Sequence, residues 1–382
     1  MRAASIADFR EEARRRIPHF LFDYIDGGAL GETTMGRNIA DLNALPLRQR
    51  VLRDVAAIDP GVTLFGEHFR LPFGLGPIGI AGMNARRGEA QAARAAEAAG
   101  VPMCLSTMSI CGLEEVAAAR TKPFWFQLYV MRDRGFMRER IARAAEMGCS
   151  ALVFTVDMGV PGIRYRDYRS GLTAAGGPMG SLWRLAQAMR HPRWCWDVGV
   201  RGRPHGFGNM SSVLAGRNSL SDYIGWLKDN FDASIDWDDL AEIREAWRGP
   251  LIIKGILDPD DARRVADLGA DGLIVSNHGG RQLDGALSTA AALPAVAEAV
   301  GDRLTVIADG GIRSGTDVLR MLALGARSVL LGRAWAYALA ADGGRGVTRM
   351  LAALEAELRV AMALTGVTAI DRIDKGLLAP TA

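Results

Sequence analysis

From residue 72 onward, short apolar runs alternate with segments whose apolar positions recur at helical spacing. The runs fall at 72–77, 102–106, 124–128, 151–156, 251–254, 272–276, 304–309 and 328–332. The segments between them are rich in Ala, Arg and Glu, as at 89–99, 135–147, 258–268, 289–300 and 315–324. Several end at a glycine just before the next run: Gly100, Gly148, Gly269 and Gly325. A glycine there closes a helix in the left-handed conformation without a Cβ penalty. This rhythm predicts βα units and a parallel sheet. Eight such units match a closed (β/α)8 TIM barrel. A doubly wound sheet fits less well, because no G-x-G-x-x-G follows the first run. The expected architecture is one α/β domain over 1–382. It comprises an N-terminal helical extension (1–70), a barrel (71–340) and a C-terminal helical segment (341–382).

One spacing breaks the pattern. The fourth run ends near Asp157 and the next helix starts near Asp238, which leaves an insertion at about 168–237, far longer than an ordinary βα loop. Trp183, Trp194, Trp196, Trp226 and Trp237 fall on this stretch, five of the eight tryptophans in the chain. Residues 181–217 also hold Arg184, Arg190, Arg193, Arg201, Arg203 and Arg217 against a single acid, Asp197. Tryptophan beside arginine suits a peripheral membrane contact, with the rings at headgroup depth. A lid or an oligomer contact is the competing reading.

Composition narrows the class. Hydrophobic residues make up 49% and charged residues 23%, which excludes a disordered chain. A formal charge of +3 is too small for a nucleic-acid footprint. Cys104, Cys111, Cys149 and Cys195 form no C-x-x-C pair, so neither a zinc site nor a disulfide framework is expected, and a reducing cytosol fits. The first twenty residues lack the apolar core of a signal peptide, and no run is long enough to span a membrane. No metal is expected.

In this fold the active site lies at the C-terminal ends of the strands. Those ends offer Gly76, Pro77, Ile78 and Gly79; Ser106; Gln127 and Tyr129; Thr155 and Asp157; Lys254; Ser276 to Arg281; Asp309 to Arg313; and Gly332 with Arg333. The ring of hydroxyl, amide, Lys, His and Arg suits an anionic ligand that carries a hydrogen-bonding heterocycle. After runs seven and eight, Gly310, Gly311, Arg313, Gly332 and Arg333 are placed to cradle a phosphate. His278, followed by Gly279 and Gly280, sets a titratable base beside Arg281. Asp157 is the candidate to orient it. Arg164 and Arg281 form a candidate two-pronged clamp for one carboxylate. Lys254 closes an apolar run and is expected to face an anion. Stabilising a reduced cofactor suits it better than a Schiff-base role.

At these residues the chain resembles the FMN-dependent L-2-hydroxy acid dehydrogenase and oxidase family, which includes glycolate oxidase, lactate oxidase and mandelate dehydrogenase. Within the family the likeness is nearest to the bacterial respiratory L-lactate dehydrogenases. The most specific string is Ser-Asn-His-Gly-Gly-Arg-Gln-Leu-Asp-Gly at 276–285, supported by strings at 22–29, 105–109, 126–129 and 154–157. The resemblance covers nearly the whole chain. It implies FMN, with Ser106, Gln127, Thr155, Lys254 and Ser276 on the flavin and the backbone of Gly76, Pro77, Ile78 and Gly79 near its ring. Asp309 would hold the ribityl chain, and Gly311, Arg313, Gly332 and Arg333 the phosphate. Tyr24, Arg164 and Arg281 would hold the substrate carboxylate and Tyr129 its hydroxyl. His278 with Asp157 would be the base, and Lys254 would neutralise charge on the reduced flavin.

The implied reaction is oxidation of an L-2-hydroxy acid, L-lactate to pyruvate first. Electrons would pass to a quinone or another acceptor at the inner face of the cell membrane, from a homotetramer. Gly79 stands where oxidases of the family tend to carry Ala, and Met108 where some relatives place Trp beside the substrate side chain. A mandelate-type or broad-specificity dehydrogenase, or a hydrogen peroxide-producing oxidase, is the alternative. An FMN-dependent isomerase would not need His278 with two carboxylate-binding arginines. A scaffold barrel would not need Tyr24, Tyr129, Asp157, His278 and Arg281 together.

Overall fold

The computed structural model describes residues 3–129, 131–172, 178–210, 213 and 230–380. Three helices come first: α1 (Ile6–Arg16), α2 (His19–Asp26) and α3 (Thr33–Asn43). A two-stranded antiparallel hairpin, β1 (Val62–Leu64) and β2 (Glu67–Phe69), leads into the barrel. The eight barrel strands are β3 (Phe73–Leu75), β4 (Cys104–Ser106), β5 (Trp125–Tyr129), β6 (Ala151–Thr155), β7 (Leu251–Ile256), β8 (Gly272–Val275), β9 (Thr305–Asp309) and β10 (Ser328–Leu331). All their pairings are parallel, in the order β3-β10-β9-β8-β7-β6-β5-β4. A parallel bridge between Leu75 and Met103 joins the two ends of that order and closes the barrel. Each of the eight apolar runs therefore supplies one strand of a TIM barrel.

The period-2 geometry of a strand explains how one sequence builds both core and site. Inward positions near the strand starts are apolar: Cys104, Trp125, Val153, Ile252, Ile274 and Ile307 share one buried cluster with Val62, Leu64 and Phe69 of the hairpin. Two residues further along the same inward rows come Ser106, Gln127, Thr155, Lys254, Ser276 and Asp309. The hairpin, which sequence reading does not pick out, thus packs on the N-terminal end of the barrel core. The polar row is left at the C-terminal end.

The strands are linked by α4 (Gly88–Ala99), α5 (Leu113–Ala118), α6 (Arg134–Glu146), α7 (Tyr165–Arg169), α8 (Pro178–Met189), α9 (Trp237–Ala246), α10 (Pro259–Asp267), α11 (Thr289–Val300) and α12 (Gly315–Ala323). The four expected glycine stops, Gly100, Gly148, Gly269 and Gly325, all have positive φ. The last helix, α13 (Arg333–Thr365), consists of two helical stretches joined at a kink where Asp342 and Gly343 leave the helical conformation, and it leads from the barrel into the C-terminal segment. Helix α1 packs against it. The insertion after β6 is not a bare loop, since α7 and α8 lie within it. Arg217 and Trp226 lie outside the described residues.

Candidate active site

The strand C-termini enclose a cavity of about 550 Å³, within the range typical of ligand sites. Most of the residues singled out from sequence line it: Tyr24; Gly76, Pro77, Ile78 and Gly79; Met108; Tyr129; Thr155; Arg164; Lys254; His278; Arg281; Asp309, Gly310, Gly311 and Arg313; Gly332 and Arg333. Ser106, Gln127, Asp157 and Ser276 stand behind that wall. Ser106 Oγ donates to Gln127 Oε1 at 3.0 Å, and Gln127 Nε2 donates to Thr155 Oγ1 at 3.0 Å. This buried relay crosses β4, β5 and β6 and fixes each side chain by its neighbour.

His278 is held from two sides. Its ring Nδ1 lies 2.9 Å from Asp157 Oδ1, and its backbone N–H donates to Ser276 Oγ at 3.0 Å. It adopts φ 56°, a left-handed conformation rare outside glycine, and Gly279 and Gly280 continue it. With Nδ1 committed to Asp157, Nε2 is the nitrogen left for the cavity. Burial pushes the His278 pKa below its ordinary value, Asp157 opposes this, and Lys254 and Arg281 add to the depression. Burial tends to raise the Asp157 pKa, but the His278 ring at hydrogen-bond distance and the charge of Lys254 outweigh it and hold the carboxylate below its usual range. The neutral base beside a fixed carboxylate is thus the resting state at neutral pH.

Sequence reading misses how Asp157 gains its place. A Cβ on Gly255 would sit 2.6 Å from the Asp157 Cβ, and Gly255 has φ 112° at a register irregularity in β7. The bare glycine leaves room for the carboxylate. Lys254 Nζ donates to Ser276 Oγ at 2.7 Å and lies 3.2 Å from Asp309 Oδ2. Burial lowers the Lys254 pKa, but Asp309 and Asp157 more than restore it, so the amine is a fixed cation.

Two anion-seeking regions flank this centre. At the first, Arg281 NH1 donates to the carbonyls of Tyr24 (2.6 Å) and Gly27 (2.9 Å), and its guanidinium lies 4.9 Å from the Tyr24 ring centroid. Among the described residues Arg164 reaches only Asp167, at 3.4 Å, and its buried Nε has no partner there. Asp167, buried and also on the cavity wall, carries an unpartnered Oδ1, and burial raises its pKa. Its signal in the sequence is its place three residues after Arg164, one turn along a helix.

At the second region, Arg333 donates to the carbonyls of Gly279 and Gly27, its buried Nε has no partner among the described residues, and burial with the nearby Arg281 pushes its pKa down to about 9. Helix α13 starts there with Gly332 as its N-cap, uncapped by any side chain. A crowd of cations short of counter-charge at a helix N-terminus fits a bound phosphate. Gly310 and Gly311 have a second duty: a Cβ on Gly311 would collide with the Asn38 carbonyl of α3. The remaining wall is apolar. Met158, Leu172 and Phe231 are unannounced in the sequence, and Phe231 packs edge-on to Tyr129 with centroids 5.7 Å apart.

Fold and site together place a histidine–carboxylate pair between two groups of arginines short of counter-charge, at the C-terminal mouth of a TIM barrel. The model of the FMN-dependent dehydrogenase family matches residues 13–380, and the chain belongs to that family, so FMN is its cofactor. It is 62% identical over 378 residues, 99% of both chains, to an L-lactate dehydrogenase of Caulobacter sp. (strain K31). It is 58% identical to that of Ectopseudomonas mendocina (strain ymp), covering 97% of each. Among solved structures it superposes on the monotopic membrane protein (S)-mandelate dehydrogenase with TM-score 0.93, at 33% identity over the full length of both. A mandelate oxidase follows it with TM-score 0.82, at 36% identity over 97% of this chain and 96% of the other. Among the described residues no helix is long and apolar enough to cross a membrane, and no acid, His or Cys cluster is arranged to hold a metal.

Proposed function

We propose that the chain oxidises an L-2-hydroxy acid, L-lactate to pyruvate first, and acts as one catalytic unit over 1–382. One observation carries the reading: His278, backed by Asp157, lines the same cavity as Arg164, Arg281, Tyr24 and Tyr129. Arg164 and Arg281 take the substrate carboxylate, and the charge it brings offsets the mutual repulsion of the two cations. Tyr129 donates to the substrate hydroxyl. Burial holds its own pKa far above neutrality, so it stays a donor. Nε2 of His278 takes the proton that leaves the substrate, and Asp157 stabilises the resulting imidazolium. FMN supplies a two-electron acceptor. Ser106, Gln127, Thr155, Ser276, Asp309 and the backbone from Gly76 to Gly79 would line or support its seat, Arg313, Gly332 and Arg333 would hold its phosphate, and Lys254 would offer a fixed positive charge beside it.

The apolar wall of Met108, Met158, Leu172 and Phe231 favours a second reading, acceptance of larger side chains. The discriminating experiment compares kcat/KM for L-lactate, L-2-hydroxybutyrate and L-mandelate with a soluble dye as acceptor. A ratio favouring L-lactate supports the first reading, and one favouring mandelate replaces it with the second. The proposal includes electron delivery to a quinone from a tetramer bound peripherally to the membrane. The monotopic mandelate dehydrogenase supports the membrane part. So does α8, whose Leu182, Trp183, Leu185 and Met189 are exposed, with Trp196 and Val200 beyond it.

A further inference from the structure

Helix α2 ends on Asp26, and the choice is unfavourable on local grounds. An acid in the last turn opposes the helix dipole, and no basic residue of the turn offsets it. The side chain is also buried, with 4% of its surface exposed. A buried carboxylate persists only where its acceptor sites are filled. Here they are. Arg10 Nε and NH2 donate to its two oxygens at 2.6 and 2.8 Å, Arg166 NH1 donates at 2.5 Å, and the Tyr337 hydroxyl donates at 2.6 Å. These partners come from α1, α7 and α13, so three elements converge on one carboxylate. Asp26 itself is absent from the cavity wall.

The next residue explains the arrangement. The Gly27 carbonyl accepts from Arg281 NH1 at 2.9 Å and from Arg333 NH2 at 2.8 Å. One peptide oxygen therefore holds a prong of the carboxylate clamp and a prong of the phosphate cradle. The Tyr24 carbonyl, in the same last turn, holds Arg281 again. The peptide has little freedom: a Cβ on Gly27 would lie 2.7 Å from the Asp23 carbonyl and 3.3 Å from the Arg166 side chain. Arg166 ties down the loop beyond it as well, donating to Glu32, which in turn accepts from the Gly28 N–H.

We infer that Asp26 is a positioning residue that sets the carboxylate arginine and the phosphate arginine together, by pinning the turn whose carbonyls hold both. The inference rests on the proposed assignments of Arg281 to substrate and Arg333 to the FMN phosphate. A carboxylate that merely anchored α1 would affect folding stability alone.

The test uses the holoenzyme. Asp26→Asn keeps the shape and an acceptor for Tyr337 but removes the charge that Arg10 and Arg166 pair with. Flavin released on dilution, read by its fluorescence, and KM for L-lactate are measured beside kcat and Tm. Flavin dissociation and KM are expected to rise together by about tenfold, with kcat within about twofold. A fall in Tm with both parameters unchanged, or a shift in only one, overturns the coupling. Should Asp26→Asn not fold, Arg166→Met and Arg10→Met each remove one ion pair and are held to the same paired shift. Arg281→Lys and Arg333→Lys separate the two levels: if the first leaves KM unchanged, or the second leaves flavin release unchanged, the assignment of that arginine fails and the inference falls with it. If both controls move and Asp26→Asn does not, the inference alone fails.

Discussion

His278 is the residue on which the proposed chemistry turns, and its environment fixes the sign of a pH effect. Burial lowers its pKa and Asp157 partly offsets the drop. The neutral form, the one that accepts a proton, therefore persists further into acid than a free imidazole, whose pKa is about 6.5. The acid limb of kcat/KM is expected below that value. Asp157→Asn removes the offsetting charge and the anchor of Nδ1. It is expected to move the limb lower and to reduce kcat by about 10²–10⁴-fold while flavin stays bound. An unchanged kcat would remove Asp157 from the mechanism. The pairing of His278 with Asp157 is legible in sequence only as two polar residues at the ends of β8 and β6, the strands on either side of β7. The vacancy that Gly255 provides is not legible, because it depends on a register irregularity between β7 and β8.

At the scale of elements, the inward strand rows carry most of what sequence reveals. Apolar residues then polar ones, two apart, mark both the strand and the end at which the site lies, as in Ile252 and Lys254 or Ile307 and Asp309. The insertion is less legible for an opposite reason. On α8 the apolar residues Leu182, Trp183, Leu185 and Met189 face solvent, while Gln187 is buried and bonds to the Phe20 N–H and the Ser170 carbonyl. That inverts the usual rule for an amphipathic helix on a soluble surface. Trp194 is instead a structural pin, its Nε1–H bonded to the Met83 carbonyl. Arg184 is likewise engaged, with Gly171, while Arg190, Arg193 and Arg201 are exposed and available to headgroups. Trp183→Ser with Leu185→Ser removes two apolar anchors, each worth about 1.5–3 kcal/mol when buried. The double variant is expected to lose co-sedimentation with phosphatidylglycerol vesicles while dye-coupled activity is unchanged. Undiminished sedimentation would make this face a lid or a subunit contact.

Over the whole molecule, the N-terminal helices complete a site that the barrel only begins. The barrel supplies His278, Asp157, Lys254 and the proposed phosphate cradle, while α2 and the turn that ends it bring Tyr24 and the carbonyls that hold Arg281 and Arg333. Sequence motifs pointed to both regions but not to the hub at Asp26, whose partners lie up to 311 positions away in the chain. Nor did they point to Phe231, which lies near the end of the long insertion. The central claim is that His278 is the base through which an L-2-hydroxy acid reduces bound FMN. Its most direct test is anaerobic mixing of the yellow holoenzyme with L-lactate, followed by the flavin absorbance, for the wild type and for His278→Gln. The account predicts rapid bleaching by L-lactate but not D-lactate in the wild type, and bleaching slowed at least about 10²-fold in the variant with its flavin retained. Bleaching of the variant at the wild-type rate would contradict it.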